Sequence, residues 1–202
     1  RYSEDREEIA QQIAGDRGAT IIPPYNHEHI IAGQGTAGLE IMAQCEELGV
    51  QPDQVLLNCS GGGLTAGCAV AVNALASDAR IYPVEPEDFD DTRRSILSGN
   101  MELNDPDART ICDALMSAPP GELTFAINKR LATEVLTVSD GEVREAIRFA
   151  CGHLKLVVEP GGAGSLAATL AGKLDLSGQV TVAILSGGNI DPPLFALIQA
   201  AA

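Results

Sequence analysis

A glycine-rich turn between a predicted strand and a predicted helix is the strongest candidate for a binding site in this sequence. The turn consists of Ser60, Gly61, Gly62, Gly63 and Leu64. In an open α/β sheet such a turn lies at the carboxyl end of a strand, where ligands bind. Because the glycines have no side chains, several backbone N–H groups can converge on an anion, and the helix dipole adds to the attraction. We therefore expect a phosphate group here, although a tight turn that binds nothing is the alternative. No Lys-Ser or Lys-Thr pair follows the glycines, so this is not a Walker loop.

A second glycine-containing turn, residues 186–189 (SGGN), follows the last predicted buried strand. The hydroxyl of Ser186 can donate a hydrogen bond to a ring nitrogen, or accept one from a ring N–H. Considered alone, the turn is equally well interpreted as a capped turn with an exposed serine. Together, the two turns suggest one flat phosphorylated ligand that is held at both ends.

An acidic segment directly follows another predicted strand. Residues 85–91 (EPEDFDD) contain five carboxylates in seven positions. Such a segment can be a solvated loop, or it can hold a hard divalent cation with carboxylate and carbonyl oxygens.

A dinucleotide-binding turn is a competing interpretation of the first motif. Gly61, Gly63 and Ala66 fit the pattern G-x-G-x-x-A, and Glu85 ends the next strand at about the distance needed to hold a ribose. This interpretation leaves the turn at 186–189 unexplained.

The elements that position these motifs alternate between apolar strands and helices. Strands are predicted at 19–22, 55–59, 80–85, 134–138 and 180–185, and helices at 3–14, 36–48, 64–76, from 139 onward, and to about 174 after the glycines at 161–162. The pattern weakens between 87 and 118, where short helices are expected at 90–98 and 109–116. Ser139 and Glu142 have the spacing of a capping box. This alternation predicts an α/β fold with a doubly wound, mainly parallel sheet.

Composition excludes several classes of function. The 202 residues carry a formal charge of −15, which argues against a nucleic-acid or anionic-membrane partner. No apolar run approaches the ~18 residues of a membrane span. Five dispersed cysteines fit neither a disulfide scaffold nor a metal knuckle, so we expect a reduced, cytoplasmic protein.

Five motifs in order give the chain a family resemblance that extends over essentially all of its length. The motifs are 33–36 (GQGT), 60–64 (SGGGL), 84–86 (VEP), 159–163 (EPGGA) and 185–189 (LSGGN). The chain resembles the serine/threonine dehydratase and serine racemase group of fold-type II pyridoxal-phosphate enzymes. The resemblance implies that residues 25–202 form the large cofactor-binding lobe and that residues 1–24 are the tail of a small lobe.

The resemblance also implies a role for each motif. The N–H groups of residues 60–64 would bind the phosphate of pyridoxal 5′-phosphate, Ser186 would meet its pyridine nitrogen, and Tyr25 would lie beside its ring. A neutral hydroxyl makes the ring a mild electron sink, which suits elimination of a β-hydroxyl.

A metal site is implied in the same way. The carboxylates of Glu85 and Asp91 and the carbonyl of Phe89 match the positions that hold Mg²⁺, Mn²⁺ or Ca²⁺ in the metal-binding members.

The chain departs from the family pattern in its lysines. The family attaches the cofactor as a Schiff base to a lysine in a Ser-Phe-Lys-like segment, and neither that segment nor the substrate-gripping loop is found here. The lysines of the chain are Lys129, Lys155 and Lys173, and none has that context. We therefore assign no catalytic residue to this chain. We expect the C-terminal part of a catalytic domain, completed by a missing N-terminal lobe and inactive by itself.

The function implied by the resemblance is the dehydration and deamination of a small β-hydroxy amino acid, such as L-serine or L-threonine, to a 2-oxo acid and ammonia. A racemase-dehydratase acting on serine or hydroxyaspartate is the alternative within the family. A non-catalytic partner chain and an NAD-binding dehydrogenase domain stay open as other classes. The family resemblance favours a homodimer.

Overall fold

Four parallel strands form the sheet that carries both glycine-containing turns. In the computed structural model, which describes residues 6–116 and 119–200, the strands lie side by side in the order β3-β2-β1-β4. They are β1 (Gln54–Asn58), β2 (Arg80–Pro86), β3 (Leu136–Val138) and β4 (Thr181–Ala183). The chain winds from β1 outward through β2 to β3, and then returns to place β4 on the other side of β1. The gap between the carboxyl ends of β1 and β4 is therefore a topological switch point, where ligands bind in such sheets.

Helices cover both faces of this sheet within the described residues. They are α1 (Arg6–Arg17), α2 (Glu28–Glu47), α3 (Gly63–Leu75), α4 (Asp91–Ser98), α5 (Glu122–Leu131), α6 (Asp140–Phe149), α7 (Gly164–Leu170) and α8 (Pro192–Ala200). Successive side chains of a strand point to opposite faces. Accordingly, Val55 and Leu57 of β1 pack in one cluster with Val72 of α3, whereas Leu56 packs in a second cluster with Ile147 of α6. The predicted doubly wound α/β fold is confirmed.

The start of α6 is set by its own sequence. The Ser139 hydroxyl accepts from the N–H of Glu142 at 3.2 Å, and the Glu142 carboxylate accepts from the N–H of Ser139 at 2.7 Å. The predicted capping box is confirmed.

The helix predicted at 36–48 starts eight residues earlier, at Glu28, and therefore includes the GQGT motif. Gly35 of this motif serves close packing against α3, because a Cβ added there would lie 2.9 Å from the carbonyl oxygen of Gly67, whereas a Cβ at Gly33 would meet nothing within 4 Å. Two small residues let the helix backbones approach, so the glycines continue the helix instead of preceding it.

Two other predicted elements differ from the structure. The strand predicted at 19–22 is wrong, since these residues pair with no strand of the described chain and Ile22 is 74% exposed. The helix predicted to extend to about 174 ends at Leu170, because Gly172 adopts a left-handed conformation with φ of 66°. The helix predicted at 3–14 and the small-lobe tail at 1–24 lie partly outside the described residues. Within residues 6–116 and 119–200, none of the helices is both long and apolar enough to cross a membrane.

Candidate active site

The two glycine-containing turns border one cavity at the switch point of the sheet. The cavity has a volume of about 240 Å³. All seven residues predicted to bind a cofactor line it: Tyr25, Ser60, Gly61, Gly62, Gly63, Leu64 and Ser186. The structure therefore brings the predicted residues together, although they lie in three separate parts of the chain.

The first turn presents the amino end of α3 to this cavity. Gly62 is the N-cap residue, with φ of 87°, and no side chain caps the helix. The first N–H groups of a helix have no partner within the helix itself. An anion at this point would satisfy them and interact favourably with the helix dipole.

Helix α5 holds the same turn from the other side. The Thr124 hydroxyl donates to the carbonyl of Gly61 at 2.6 Å, and the Asn128 amide donates to the carbonyl of Gly62 at 3.3 Å. In a trans peptide the C=O and the next N–H point in opposite directions. The N–H groups of Gly62 and Gly63 therefore point away from α5, which leaves them available to an anion. Sequence reasoning missed Thr124 and Asn128, although a polar pair at i and i+4 on a helix is a signal that could have identified them.

Tyr25 forms one wall of the cavity. A Cβ added at Gly61 would lie 2.5 Å from three carbons of the tyrosine ring, so the ring packs directly on the glycine backbone. The Tyr25 hydroxyl donates to the carbonyl of Pro119 at 3.3 Å. A side chain at position 61 would clash with the tyrosine ring, so this position of the turn needs glycine.

The second turn is held by two side chains that sequence reasoning did not assign to the site. The Asn58 amide nitrogen donates to Ser186 Oγ at 3.0 Å. The Glu159 carboxylate accepts from the N–H of Asn189 at 3.0 Å, while its own N–H donates to the carbonyl of Gly187 at 3.0 Å. Glu159 belongs to the EPGGA motif, whereas Asn58 had no signal beyond being a polar residue at the end of an apolar strand.

One buried polar atom of the cavity has no partner within the described residues. Gln34 lines the cavity, and its Oε1 is buried without a hydrogen bond. Its Nε2 donates to the carbonyl of Pro24 at 3.5 Å, so Oε1 is an acceptor that a hydrogen-bond donor of a ligand would satisfy. The open N–H groups and the Ser186 hydroxyl together fit pyridoxal phosphate.

The predicted metal residues lie together in a different place, beside the carboxyl end of β2. Glu85 is fully buried, and its carboxylate accepts from the backbone N–H groups of Thr92 at 3.1 Å and Arg93 at 2.9 Å. It therefore caps α4 and does not line the cavity at the glycine turn. This position disfavours the dinucleotide interpretation, in which Glu85 would have to reach a ribose bound there.

Asp91 is buried near Glu85. Its Oδ1 accepts from the Asn104 amide at 2.7 Å, and its Oδ2 is buried without a hydrogen-bond partner in the described part of the chain. Burial raises the pKa of Glu85 to about 8, with a contribution from the Asp91 charge, and burial likewise raises the pKa of Asp91 to about 6.

Two buried carboxylates that disfavour each other's charge fit a divalent cation, which would offset both. Phe89 is buried and belongs to the short turn Glu87–Phe89, which lies between Glu85 and Asp91 in the sequence. Among the described residues, no group of three or more His, Cys, Asp or Glu side chains could hold a metal ion. Any cation here would therefore depend on the two carboxylates with carbonyl and water oxygens.

None of the three lysines lines the cavity of the glycine turns. The Lys173 ammonium pairs with the Glu142 carboxylate at 2.8 Å, and the Lys155 ammonium donates to the carbonyl of Gly152 at 2.5 Å. The Lys129 ammonium lies 5.5 Å from the centre of the Phe125 ring.

Comparison with known proteins gives the chain a family. L-threo-3-hydroxyaspartate ammonia-lyase of Saccharomyces cerevisiae is 40% identical over 199 residues, covering 98% of this chain and 59% of that protein. Serine racemase of Schizosaccharomyces pombe is 41% identical over 193 residues, covering 95% of this chain and 58% of that protein. The chain thus spans slightly less than three fifths of the length of these relatives.

A solved structure and a family model agree with these relatives. The crystal structure of a threonine deaminase from T.th. superposes with a TM-score of 0.87 at 41% identity, covering 94% of this chain and 61% of that one. The family model described as "Pyridoxal-phosphate dependent enzyme" matches residues 1–187. Because this match covers most of the chain, the chain belongs to the family of pyridoxal-phosphate dependent enzymes.

Proposed function

We propose that this chain binds pyridoxal 5′-phosphate between its two glycine-containing turns. We further propose that the protein uses it to eliminate water from a small β-hydroxy amino acid, such as L-serine or L-threonine, to give a 2-oxo acid and ammonia. The observation that carries the proposal is the single cavity at the switch point, bordered by the uncapped start of α3 on one side and by the Ser186 hydroxyl on the other.

Each part of the cavity has a distinct task in this proposal. The N–H groups of residues 60–64 hold the phosphate, and α5 keeps their carbonyls turned away through Thr124 and Asn128. When bound, the cofactor supplies an electron sink for the bond that breaks at the substrate α-carbon. Ser186 meets the pyridine nitrogen with a neutral hydroxyl. Tyr25 closes the wall beside the first turn.

The substrate class comes from the relatives. Those named above are an ammonia-lyase of hydroxyaspartate, a serine racemase and a threonine deaminase, whose substrates are small hydroxy amino acids. Serine or hydroxyaspartate racemisation combined with dehydration is the second candidate, because relatives of both kinds match at nearly equal identity.

The rest of the catalytic machinery lies outside these 202 residues in this proposal. Since none of the three lysines lines the cavity, covalent attachment of the cofactor is assigned to a lysine of an N-terminal lobe. That lobe would also supply the loop that grips the substrate carboxylate. Glu85 and Asp91, with the Phe89 carbonyl, would hold Mg²⁺, Mn²⁺ or Ca²⁺ when that ion is present. A homodimer and a cytoplasmic location remain predictions.

Cofactor binding by the 202-residue protein is the direct test. Pyridoxamine 5′-phosphate is the suitable probe because it carries an amine in place of the aldehyde and forms no imine with lysine. Ser186→Ala should weaken its binding about 5- to 10-fold, the value of one hydrogen bond. Ser177→Ala, at the opposite end of β4, is the matched control and should leave the affinity unchanged. Tight binding of NADH without binding of pyridoxamine phosphate would overturn the proposal.

The reaction is tested on the holoenzyme that contains this chain. L-Serine, L-threonine and L-threo-3-hydroxyaspartate are supplied separately, and 2-oxo acid, ammonia and the D-amino acid are measured. Equal amounts of 2-oxo acid and ammonia support elimination, while D-amino acid formed faster than 2-oxo acid supports the racemase candidate. Borohydride reduction that attaches the cofactor to Lys129, Lys155 or Lys173 would contradict the assignment of the lysine.

A further inference from the structure

Asn58 occupies a fixed orientation at the carboxyl end of β1. Its side chain is only 4% exposed. On one side, its Oδ1 accepts from the backbone N–H of Ser165 at 2.6 Å. On the other side, the two hydrogens of its Nδ2 are shared among three acceptors: the backbone carbonyls of Gly162 at 2.9 Å and Ile184 at 3.2 Å, and Ser186 Oγ. A backbone N–H can only donate and a carbonyl can only accept, so these backbone contacts exclude the flipped orientation of the amide.

This orientation determines what the Ser186 hydroxyl can do. Asn58 Nδ2 lies 3.0 Å from Ser186 Oγ, and an amide nitrogen cannot accept a hydrogen bond. Ser186 Oγ is therefore the acceptor of this bond, and its own hydrogen remains available. Within the described part of the chain, the Ser186 hydroxyl makes no side-chain hydrogen bond besides the one with Asn58. Ser186 lines the cavity, so the hydrogen is available to a ligand there.

We propose that Asn58 is a positioning residue that makes the Ser186 hydroxyl a hydrogen-bond donor toward the pyridine nitrogen of the cofactor, and thereby keeps that nitrogen unprotonated. The inference rests on the proposed function, because it concerns the ligand assigned to this cavity. The bond accepted from Asn58 occupies one of the two lone pairs of Ser186 Oγ and polarises its O–H, which makes the hydroxyl a better donor and a poorer acceptor. An unprotonated nitrogen accepts the serine hydrogen, whereas a protonated one needs an acceptor, so Asn58 favours the unprotonated nitrogen.

The charge at the edge of the cavity opposes this effect of Asn58. Glu159 is the only carboxylate among the described residues that line the cavity, and Tyr25 is the only other ionisable side chain there. A nearby carboxylate favours a protonated ring nitrogen. The hydrogen bond from Asn58 to Ser186 has the opposite effect, because it favours the unprotonated ring nitrogen.

The test measures the ring nitrogen itself. The probe is pyridoxamine 5′-phosphate labelled with ¹⁵N in the ring, bound to the 202-residue protein at about pH 7.5, and the readout is the ¹⁵N chemical shift of the bound probe. Five proteins are compared: wild type, Asn58→Ala, Ser165→Ala, Ser186→Ala and the double variant Asn58→Ala/Ser186→Ala. Ser165→Ala is the matched control, because it removes a 2.9 Å bond to Asn58 Oδ1 while leaving the bond to Ser186 in place.

The wild-type nitrogen is expected to be unprotonated. Asn58→Ala should raise the ratio of protonated to unprotonated nitrogen about tenfold, the equivalent of one hydrogen bond. Ser165→Ala should leave that ratio unchanged. Adding Asn58→Ala to Ser186→Ala should change nothing further, because Asn58 acts through Ser186.

Three outcomes overturn the inference. A fully protonated nitrogen in the wild type does so without any variant, which keeps the test valid if Asn58→Ala fails to fold. An unchanged ratio in a folded Asn58→Ala protein that still binds the probe overturns the inference alone. A wild-type protein that does not bind the probe overturns the proposed function and this inference with it.

Discussion

Replacement of Gly62 by alanine separates the binding role of the first turn from its conformational role. Gly62 has φ of 87°, a left-handed conformation that costs a residue with a Cβ roughly 1–2 kcal/mol. Gly49 has φ of 69° and open space around it, so Gly49→Ala has the same conformational cost. Gly49 precedes β1 and therefore lies at the end of the sheet opposite the cavity. It is the matched control.

The two variants differ in what the new methyl group contacts. At Gly49 it meets nothing within 4 Å, whereas at Gly62 it would lie 2.6 Å from Asn128 Nδ2 and 3.2 Å from Thr124 Cβ. The turn must then move away from α5, and the N–H groups that point into the cavity move with it. The loss of one charge-assisted hydrogen bond to a phosphate, about 1.5–3 kcal/mol, corresponds to a roughly 10- to 100-fold lower affinity.

The assay combines thermal unfolding with titration of pyridoxamine 5′-phosphate. For a protein of this size, the conformational cost should lower the melting temperature of both variants by about 2–8 °C. Only Gly62→Ala should lose affinity. If Gly62→Ala binds the probe within about twofold of the wild type, or if Gly49→Ala loses affinity to the same extent, the assignment of phosphate binding to this turn is refuted.

Three further predictions address the supports of the fold and the site. In chelator, the free energy of unfolding should fall as the pH rises from about 4.5 toward 8, because folded Glu85, with its pKa raised to about 8, retains a proton that the unfolded chain releases. Glu85→Gln should flatten this fall and abolish any stabilisation by Mg²⁺ or Ca²⁺, and identical denaturation profiles for the two proteins would contradict both statements. Thr124→Val should weaken pyridoxamine phosphate binding about 5- to 10-fold, because the Gly61 carbonyl loses its 2.6 Å bond; unchanged affinity in a titration would show that α5 does not hold the turn. Ser139→Ala should destabilise the protein by about 1 kcal/mol in urea without changing that affinity, since its capping partner Glu142 lies on a helix that does not line the cavity.

Features that depend only on residues close together in the sequence could be predicted from it. The strand β1 and the following turn were predictable because an apolar run meets three glycines, and the capping box of α6 was predictable because its two partners are three residues apart. Two segments outside the predicted strands were predicted less well. The helix predicted at 109–116 is only the short 3₁₀ turn Asp113–Leu115, and α8 (Pro192–Ala200) was not predicted at all.

The apolar segment at 19–22 shows the limit of local reasoning. Its β-branched residues favour a strand, but a strand needs a partner for its backbone hydrogen bonds, and the structure pairs these residues with none. At Gly35 local reasoning fails in the opposite way. Glycine commonly marks the end of a helix, but Gly35 lies inside α2. There the contact with Gly67 of α3 outweighs local propensity.

The sequence by itself determined which residues could bind the ligand, since the glycine turns, Ser186 and Tyr25 follow from residue types and from the order of five motifs. The tertiary structure decided how those residues are held and what they can donate. Thr124 meets Gly61 across 63 positions, and Asn58 meets Ser186 across 128. No local pattern encodes such pairs, because only the parallel order β3-β2-β1-β4 places the ends of distant strands side by side. A hydrogen bond acts over about 3 Å, so the direction of the Ser186 hydroxyl depends on a neighbour that folding alone brings into contact.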